Sequence, residues 1–234
     1  MRKVVLQQAA TLSPTVRGLS LACVDGAPLG HEPGQWVNLH VPVAGQTQKR
    51  AYSVASAPDR AHPERFDIAV TRVEGGSVSH ALHALPAGAV LQIDGPHGFF
   101  TRESTRGQPV LFVGTGTGVC PLRAMIEAEL QDPHAAATHL LFGCRTEADL
   151  LYARDWERLA TTGRFMLHAT LSQPSPAWAG LRGYVQMHLP SLIDEAHKPH
   201  VYVCGLSRMV IEVRRVLKDE LGYDRKLIHS ERYD

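Results

Sequence analysis

Residues 109–123, Pro-Val-Leu-Phe-Val-Gly-Thr-Gly-Thr-Gly-Val-Cys-Pro-Leu-Arg, decide how the rest of this chain is read. Val110 to Val113 is a short, wholly apolar run, as expected for a strand covered on both faces of a parallel sheet. Gly114, Gly116 and Gly118 follow at alternate positions, and a helix is predicted from near Pro121, over Leu122 to Leu130. A strand, a glycine turn and a helix N-terminus together present free backbone N–H groups to a phosphate. The spacing departs from G-x-G-x-x-G, because Val119 holds the sixth position, and no Gly-Lys-Ser/Thr follows to make a P-loop. On its own the stretch fits either a phosphate cradle or a tight turn without a ligand. Upstream of it the chain reads as all-β, and downstream strands alternate with helices.

Working upstream, residues 2–9 and 15–24 read as two strands separated by Ser13-Pro14. The segment from Gln35 to Val41 alternates polar and apolar, the mark of a half-buried strand. Further strands are predicted at Arg50–Ser56, Phe66–Val73 and Val90–Ile93, with Asp94 to Gly98 as a turn. Ser77 to Leu85 is the one helix among them, with Val78, Leu82 and Leu85 on a common face. Short strands at this spacing predict a small barrel or sandwich. The polar, glycine-containing segment 102–108 marks a boundary, dividing the chain into domains 1–104 and 105–234.

Downstream, further strands are predicted at Thr138–Phe142, Phe165–Thr170, Val201–Cys204 and Leu227–Ile228, making five with Val110–Val113. Helices are expected at Asp155–Ala160, near Val185–Leu189 and over Met209–Leu221, with a proline-rich loop from Gln173 to Gly183. Alternation of this kind implies a parallel sheet wrapped by helices, with ligands at the carboxyl ends of the strands. Gly114, Gly143, Thr170 and Cys204 all fall at that edge.

Bulk composition narrows the function classes. With 24 basic and 23 acidic residues among 234, the net charge of +1 gives no clustered basic excess for nucleic acid. No apolar run approaches a membrane span. Cys23, Cys120, Cys144 and Cys204 are far apart and form no C-x-x-C pair, so neither a zinc site nor a cysteine-held iron–sulfur cluster is signalled. With no signal peptide evident, free thiols in a reducing cytoplasm are expected. His80 and His83 lie three apart on the predicted helix; with no third ligand they are expected to be a solvent-facing pair, and no metal site is expected.

Four motifs, in order along almost the whole chain, resemble those of the ferredoxin–NADP reductase superfamily. Arg50-Ala51-Tyr52-Ser53 resembles its R-x-Y-S/T flavin motif, and Gly76-Ser77-Val78-Ser79 its pyrophosphate-binding helix start. Gly114-Thr115-Gly116-Thr117-Gly118, with Pro121 and Arg123, resembles its nicotinamide loop, and Cys204-Gly205 with Met209 its C-G-x-x-x-M signature. The resemblance implies an N-terminal antiparallel Greek-key barrel binding FAD and a C-terminal five-stranded Rossmann-like domain binding NADH or NADPH. It implies that Arg50 pairs with the flavin pyrophosphate, that Tyr52 lies against the isoalloxazine, and that Ser53 hydrogen-bonds its N5, the atom that takes the hydride. Thr117 approaches both rings, and Cys204 lies beside the nicotinamide as shape, not as a nucleophile. Glu231 and Tyr233 resemble the closing Glu-x-Tyr of plant-type members, the tyrosine stacking on flavin and the glutamate aiding proton traffic; here Asp234 follows.

Arg145 follows the second strand as in both NADH and NADPH enzymes, whereas Gln173 stands where NADP enzymes often carry arginine, which leans the reading to NADH. With no iron–sulfur domain in the sequence, the electron acceptor is expected on a separate chain: a ferredoxin, a flavodoxin or an oxygenase component. The alternatives are an NAD(P)H:flavin reductase that uses free flavin as substrate, which the segments 94–98 and 173–183 resemble, and a non-catalytic electron-transfer subunit.

Overall fold

The computed structural model describes residues 1–193 and 198–233; Asp234 lies outside the described residues. The front half forms strands β1 (Arg2–Ser13), β2 (Val16–Cys23), β3 (Trp36–Val43), β4 (Gln46–Ser53), β5 (Arg65–Thr71) and β6 (Val90–His97). They pair antiparallel in the order β4-β3-β6-β1-β2-β5, and a bridge from Val54 to Ile68 joins the two edges and closes the barrel. The alternation in β3 sends Val37, Leu39 and Val41 into the barrel core beside Leu6, Leu21, Phe66, Ile68 and Ile93. Each such side chain contributes ~1.5–3 kcal/mol when fully buried. Helix α1 (Ser77–Ala84) plugs one side of the barrel with Val78 and Leu82. Arg17 caps its C-terminus by donating to the carbonyls of Leu82 at 3.1 Å and Leu85 at 2.9 Å.

The rear half runs β7 (Val110–Thr115), α2 (Val119–Leu130), β8 (Thr138–Cys144), α3 (Ala153–Ala160), β9 (Phe165–Leu171), β10 (Leu181–Arg182), α4 (Leu189–Leu192), β11 (His200–Leu206), α5 (Ser207–Arg215) and β12 (Ile228–Tyr233). The strands are parallel, in the order β10-β9-β8-β7-β11-β12. Chain direction across the sheet reverses between β7 and β11, so the topological switch point lies there, with Gly114 and Cys204 in register. One face of the sheet packs Phe112, Phe142 and Tyr202 with residues of α2, α3 and the barrel; the other packs Leu111, Val113 and Val203 with residues of α4 and α5.

Four expectations are corrected. The rear sheet has six strands among the described residues, not five: Leu181–Arg182, inside the expected proline-rich loop, pairs with Thr170 and Leu171. Residues 94–97 continue β6 instead of turning; the extra residue is taken up as a bulge against Trp36–Asn38. The last strand runs on to Tyr233. His83 does not face solvent with His80, because its ring bonds the Val70 carbonyl at 2.8 Å.

The boundary segment is pinned. Arg102 and Glu129 form an ion pair at 2.9 Å with side chains 4% and 5% exposed, and Arg102 also donates to Thr105 Oγ1 and the Gln108 carbonyl. The four cysteines are unpaired, and no helix of the described residues is long and apolar enough to cross a membrane.

Candidate active site

A cavity of about 680 Å³ opens where the barrel meets the rear domain. Its walls come from separate stretches of chain: Trp36, Arg50, Ala51, Tyr52 and Ser53; Ala69, Thr71 and Val73; Gly76, Ser77, Val78 and Ser79; Thr117 and Cys120; and Glu231, Arg232 and Tyr233. The β3–β4 register sets Trp36 opposite Ser53. At one end, Arg50 is exposed, bonded only locally to the Lys49 carbonyl at 2.9 Å and to Gln48 Oε1 at 3.3 Å. Beside it, α1 begins at Gly76 with no side-chain cap, so its first-turn N–H groups are open to the cavity end. Ser79 contributes no free hydroxyl: its Oγ donates to the Gly76 carbonyl at 2.9 Å and accepts from the Val73 N–H at 3.1 Å. Val78 is buried in the barrel core, which leaves its backbone to face a ligand.

The middle of the cavity is neutral. Burial pushes the Tyr52 hydroxyl up to about 12 and the Cys120 thiol up to about 11, and holds the Tyr233 hydroxyl well above its ordinary range. Ser53 Oγ and the Tyr233 hydroxyl share a hydrogen bond that closes the floor between the domains. Burial also raises the Cys204 thiol, with the hydrogen-bonded Tyr233 hydroxyl pulling the other way. Both thiols therefore stay protonated and act as small apolar groups. Glu231 is different: burial pushes its carboxyl up to about 7, where it exchanges a proton near neutrality.

A second group of residues sits behind this cavity at the carboxyl ends of β7 and β11. Gly118 opens α2 so close to β11 that a Cβ there would overlap the Cys204 carbonyl oxygen and the Gly205 Cα. Gly205, at φ +150°, faces Thr115, whose Oγ1 is buried without a protein partner. Gly114, Gly116, Pro121 and Cys204 belong to this group and do not line the cavity; Cys204 reaches it through Tyr233. Arg145 stands apart after β8, its side chain 70% exposed and 3.8 Å from Asp149.

These features fit a dinucleotide and a flavin nucleotide. The volume lies in the range of small-molecule sites, a cationic side chain and an open helix start share one end, and a glycine cradle with an unpartnered Thr115 hydroxyl lies at the switch point. Family models match in the same two places: an oxidoreductase FAD-binding domain over residues 3–101 and an oxidoreductase NAD-binding domain over residues 112–215. Ferredoxin–NADP reductase B of Sorangium cellulosum is 51% identical over 95% of this chain and 93% of its own length. The chain belongs to the ferredoxin–NADP reductase superfamily.

Other members differ in extent. The glycine betaine monooxygenase reductase subunit of Pseudomonas aeruginosa is 30% identical over 86% of this chain, which spans 56% of that protein. Among solved structures, the FAD/NAD-binding domain of a nitric oxide dioxygenase from Vibrio cholerae superposes with a TM-score of 0.88 at 26% identity, covering 99% of this chain and 98% of that one. This superfamily member is an FAD-dependent NAD(P)H oxidoreductase.

Sequence reasoning did not single out Trp36, Cys120 or Arg232. Trp36 is findable from strand pairing, as the residue across from Ser53. Cys120 follows from the helix start, two residues beyond the last glycine. Arg123 closes the nicotinamide-loop motif, but the motif gave it no role across the seam. It stands in the first turns of α2, is 7% exposed, and reaches across the seam to the barrel. Nothing in local periodicity marks it.

Proposed function

We propose that this chain draws electrons from NAD(P)H through FAD and hands them to a separate redox protein, a ferredoxin, flavodoxin or oxygenase component. The observation that carries this reading is one cavity walled jointly by Arg50–Ser53, the start of α1, Thr117 and Tyr233. Names of the relatives support the acceptor class: one is a ferredoxin–NADP reductase and others are monooxygenase reductase components. In this reading residues 1–104 are the FAD-binding barrel and 105–234 the NAD(P)-binding domain. Four unpaired cysteines suit a reducing cytoplasm.

The flavin and nicotinamide rings supply the hydride chemistry when bound. Arg50 and the backbone N–H groups of Ser77, Val78 and Ser79 bind the diphosphate. Tyr52 offers a flat face to the ring system, and Ala51 keeps that wall low. Ser53 would supply its hydroxyl to the reacting edge in exchange for the Tyr233 hydroxyl it bonds in this structure. Tyr233 covers the opposite side and excludes water. Gly114, Thr115, Gly116, Thr117 and Gly118 cradle the nicotinamide nucleotide with backbone groups, Pro121 fixing the start of the helix behind them. Cys204 and Gly205 shape the ring's resting place. Glu231 holds or releases a proton beside it at pH near 7. Arg145 stands at the carboxyl edge of the sheet, where the adenosine end of a dinucleotide lies.

Two features pull the donor in opposite directions. The 51%-identical relative is named for NADP, whereas Gln173 brings no charge to the adenosine end. Anaerobic titration of the purified protein with NADH and with NADPH, read by flavin absorbance, decides between them. A yellow protein bleached by either donor is expected. A colourless protein that reduces only added flavin would replace this reading by that of a flavin reductase. Arg50→Ala is expected to weaken FAD binding about 10- to 100-fold, the loss of a charge-assisted contact worth ~1.5–3 kcal/mol. Unchanged flavin retention would remove Arg50 from the site.

A further inference from the structure

Arg123 ties the two domains at the point where the two halves of the site meet. Its guanidinium donates to the Ala55 carbonyl at 2.6 Å and lies 3.5 Å from Asp67, both in the front half. On its own side it pairs with Glu127 at 2.8 Å and Asp155 at 2.7 Å, and stacks 4.6 Å over the Tyr152 ring. Glu127 repeats the crossing one turn on, accepting from the Ala57 N–H at 3.0 Å. Ala55 lies two residues after Ser53, and Arg123 three after Cys120, so both ends of the bond are short extensions of cavity walls. Tyr152 closes the circuit, its hydroxyl 3.7 Å from Cys120 Sγ.

We infer that Arg123, seconded by Glu127, is a positioning residue for hydride transfer: it sets the distance between the Tyr52–Ser53 wall and the Thr117–Cys120 wall by bolting α2 to the segment that follows β4. The inference rests on the proposed function. A planar, five-donor guanidinium held by three carboxylates and a carbonyl is a rigid spacer, and a lysine cannot reproduce its fork. A shift of ~1 Å between reacting groups is enough to cost about 100-fold in rate.

The experiment compares wild type with Arg123→Met, Arg123→Lys and Glu127→Ala. In Arg123→Met, flavin reduction by NAD(P)H in stopped flow is expected to slow about 10- to 100-fold, with KM for the donor within about threefold. The long-wavelength absorbance that reports stacked flavin and nicotinamide rings is expected to fall in parallel. Arg123→Lys restores part of the rate. Amide hydrogen exchange at Ala57, measured on the protein without donor, is expected to rise at least about 10-fold in Glu127→Ala. If Arg123→Met does not fold, Arg123→Lys and Glu127→Ala carry the test. Reduction rates and ring-stacking absorbance within twofold of wild type in both would overturn the inference, even with a lowered melting temperature. A wild-type chain that no donor bleaches removes the proposed function itself, and this inference with it.

Discussion

Replacing Glu231 by Gln isolates one buried proton. Glu231 sits on β12 in register with Cys204, half-buried at the cavity wall, and burial pushes its carboxyl from the ordinary 4.5 up to about 7. Its folded pKa is therefore above its unfolded one. Between those two values the folded chain binds more protons than the unfolded chain, so the wild type loses stability as pH rises from about 4.5 to 7. At about 1.4 kcal/mol per tenfold change, the full displacement corresponds to ~3 kcal/mol. Solvent screening at a half-buried group reduces this to ~1–2 kcal/mol. Glutamine keeps the shape and removes the proton. The expected result is that Glu231→Gln gains on wild type steadily from pH 5 to 7 and exceeds it by ~1–2 kcal/mol at pH 8, a melting difference of roughly 2–8 °C for a chain of this size. Thermal unfolding in matched buffers from pH 5 to 8 measures the difference directly. Parallel curves for the two proteins across that range would refute the reasoning, and a wild type that gains on the variant with rising pH would reverse its sign.

Two further predictions concern packing. Arg102→Met strands Glu129, whose side chain is 5% exposed, and should destabilise the fold by about 3–5 kcal/mol in urea unfolding; Arg102→Met with Glu129→Leu should recover much of that loss. Gly118→Ala places a methyl on the Cys204 carbonyl oxygen, forcing α2 away from β11. It should cost ~1–3 kcal/mol in stability and weaken donor binding while FAD stays bound, and an unchanged donor affinity would count against the glycine cradle.

The fold was legible wherever burial is periodic. Val37, Leu39 and Val41 announce β3 because alternate side chains enter the barrel core, and Val110 to Val113 announces β7 because both of its faces are covered. Where other forces hold the backbone, the pattern is silent. β10 is two residues long and is fixed by side chains: Trp178 Nε1 donates to the Leu181 carbonyl at 2.8 Å and Arg182 to the Trp178 carbonyl at 2.9 Å. The predicted last strand stops at Ile228, short of the polar run from His229 to Arg232. That run becomes strand because it pairs in parallel with β11, and because the His229 ring stacks on Tyr202 at 4.3 Å. Asp94 to His97 reads as a turn from its glycine and proline. Asp94 instead stays in the strand, accepting from Asn38 at 2.7 Å and bonding His40 at 2.6 Å and His97 at 2.8 Å.

The site was legible as separate local segments, each with its own backbone signature. What unites them is long-range and cannot be read from spacing: Tyr233 meets Ser53 across 180 residues, and Arg123 meets Ala55 across 68. The electrostatic pattern that results argues for the proposed ligand more strongly than any one motif. Tyr52, Cys120 and Tyr233 all have their ionisation pushed up by burial, so the middle of the cavity is walled by neutral groups and is flat and weakly polar. Arg50 and the uncapped start of α1 place positive potential at one end, while the adjustable proton sits at Glu231, beside Arg232. A ligand matched to this surface has a neutral, planar body and an anionic tail. A wholly charged metabolite would leave its charge unpaired in the centre, and a wholly apolar one would leave the α1 N–H groups unmet.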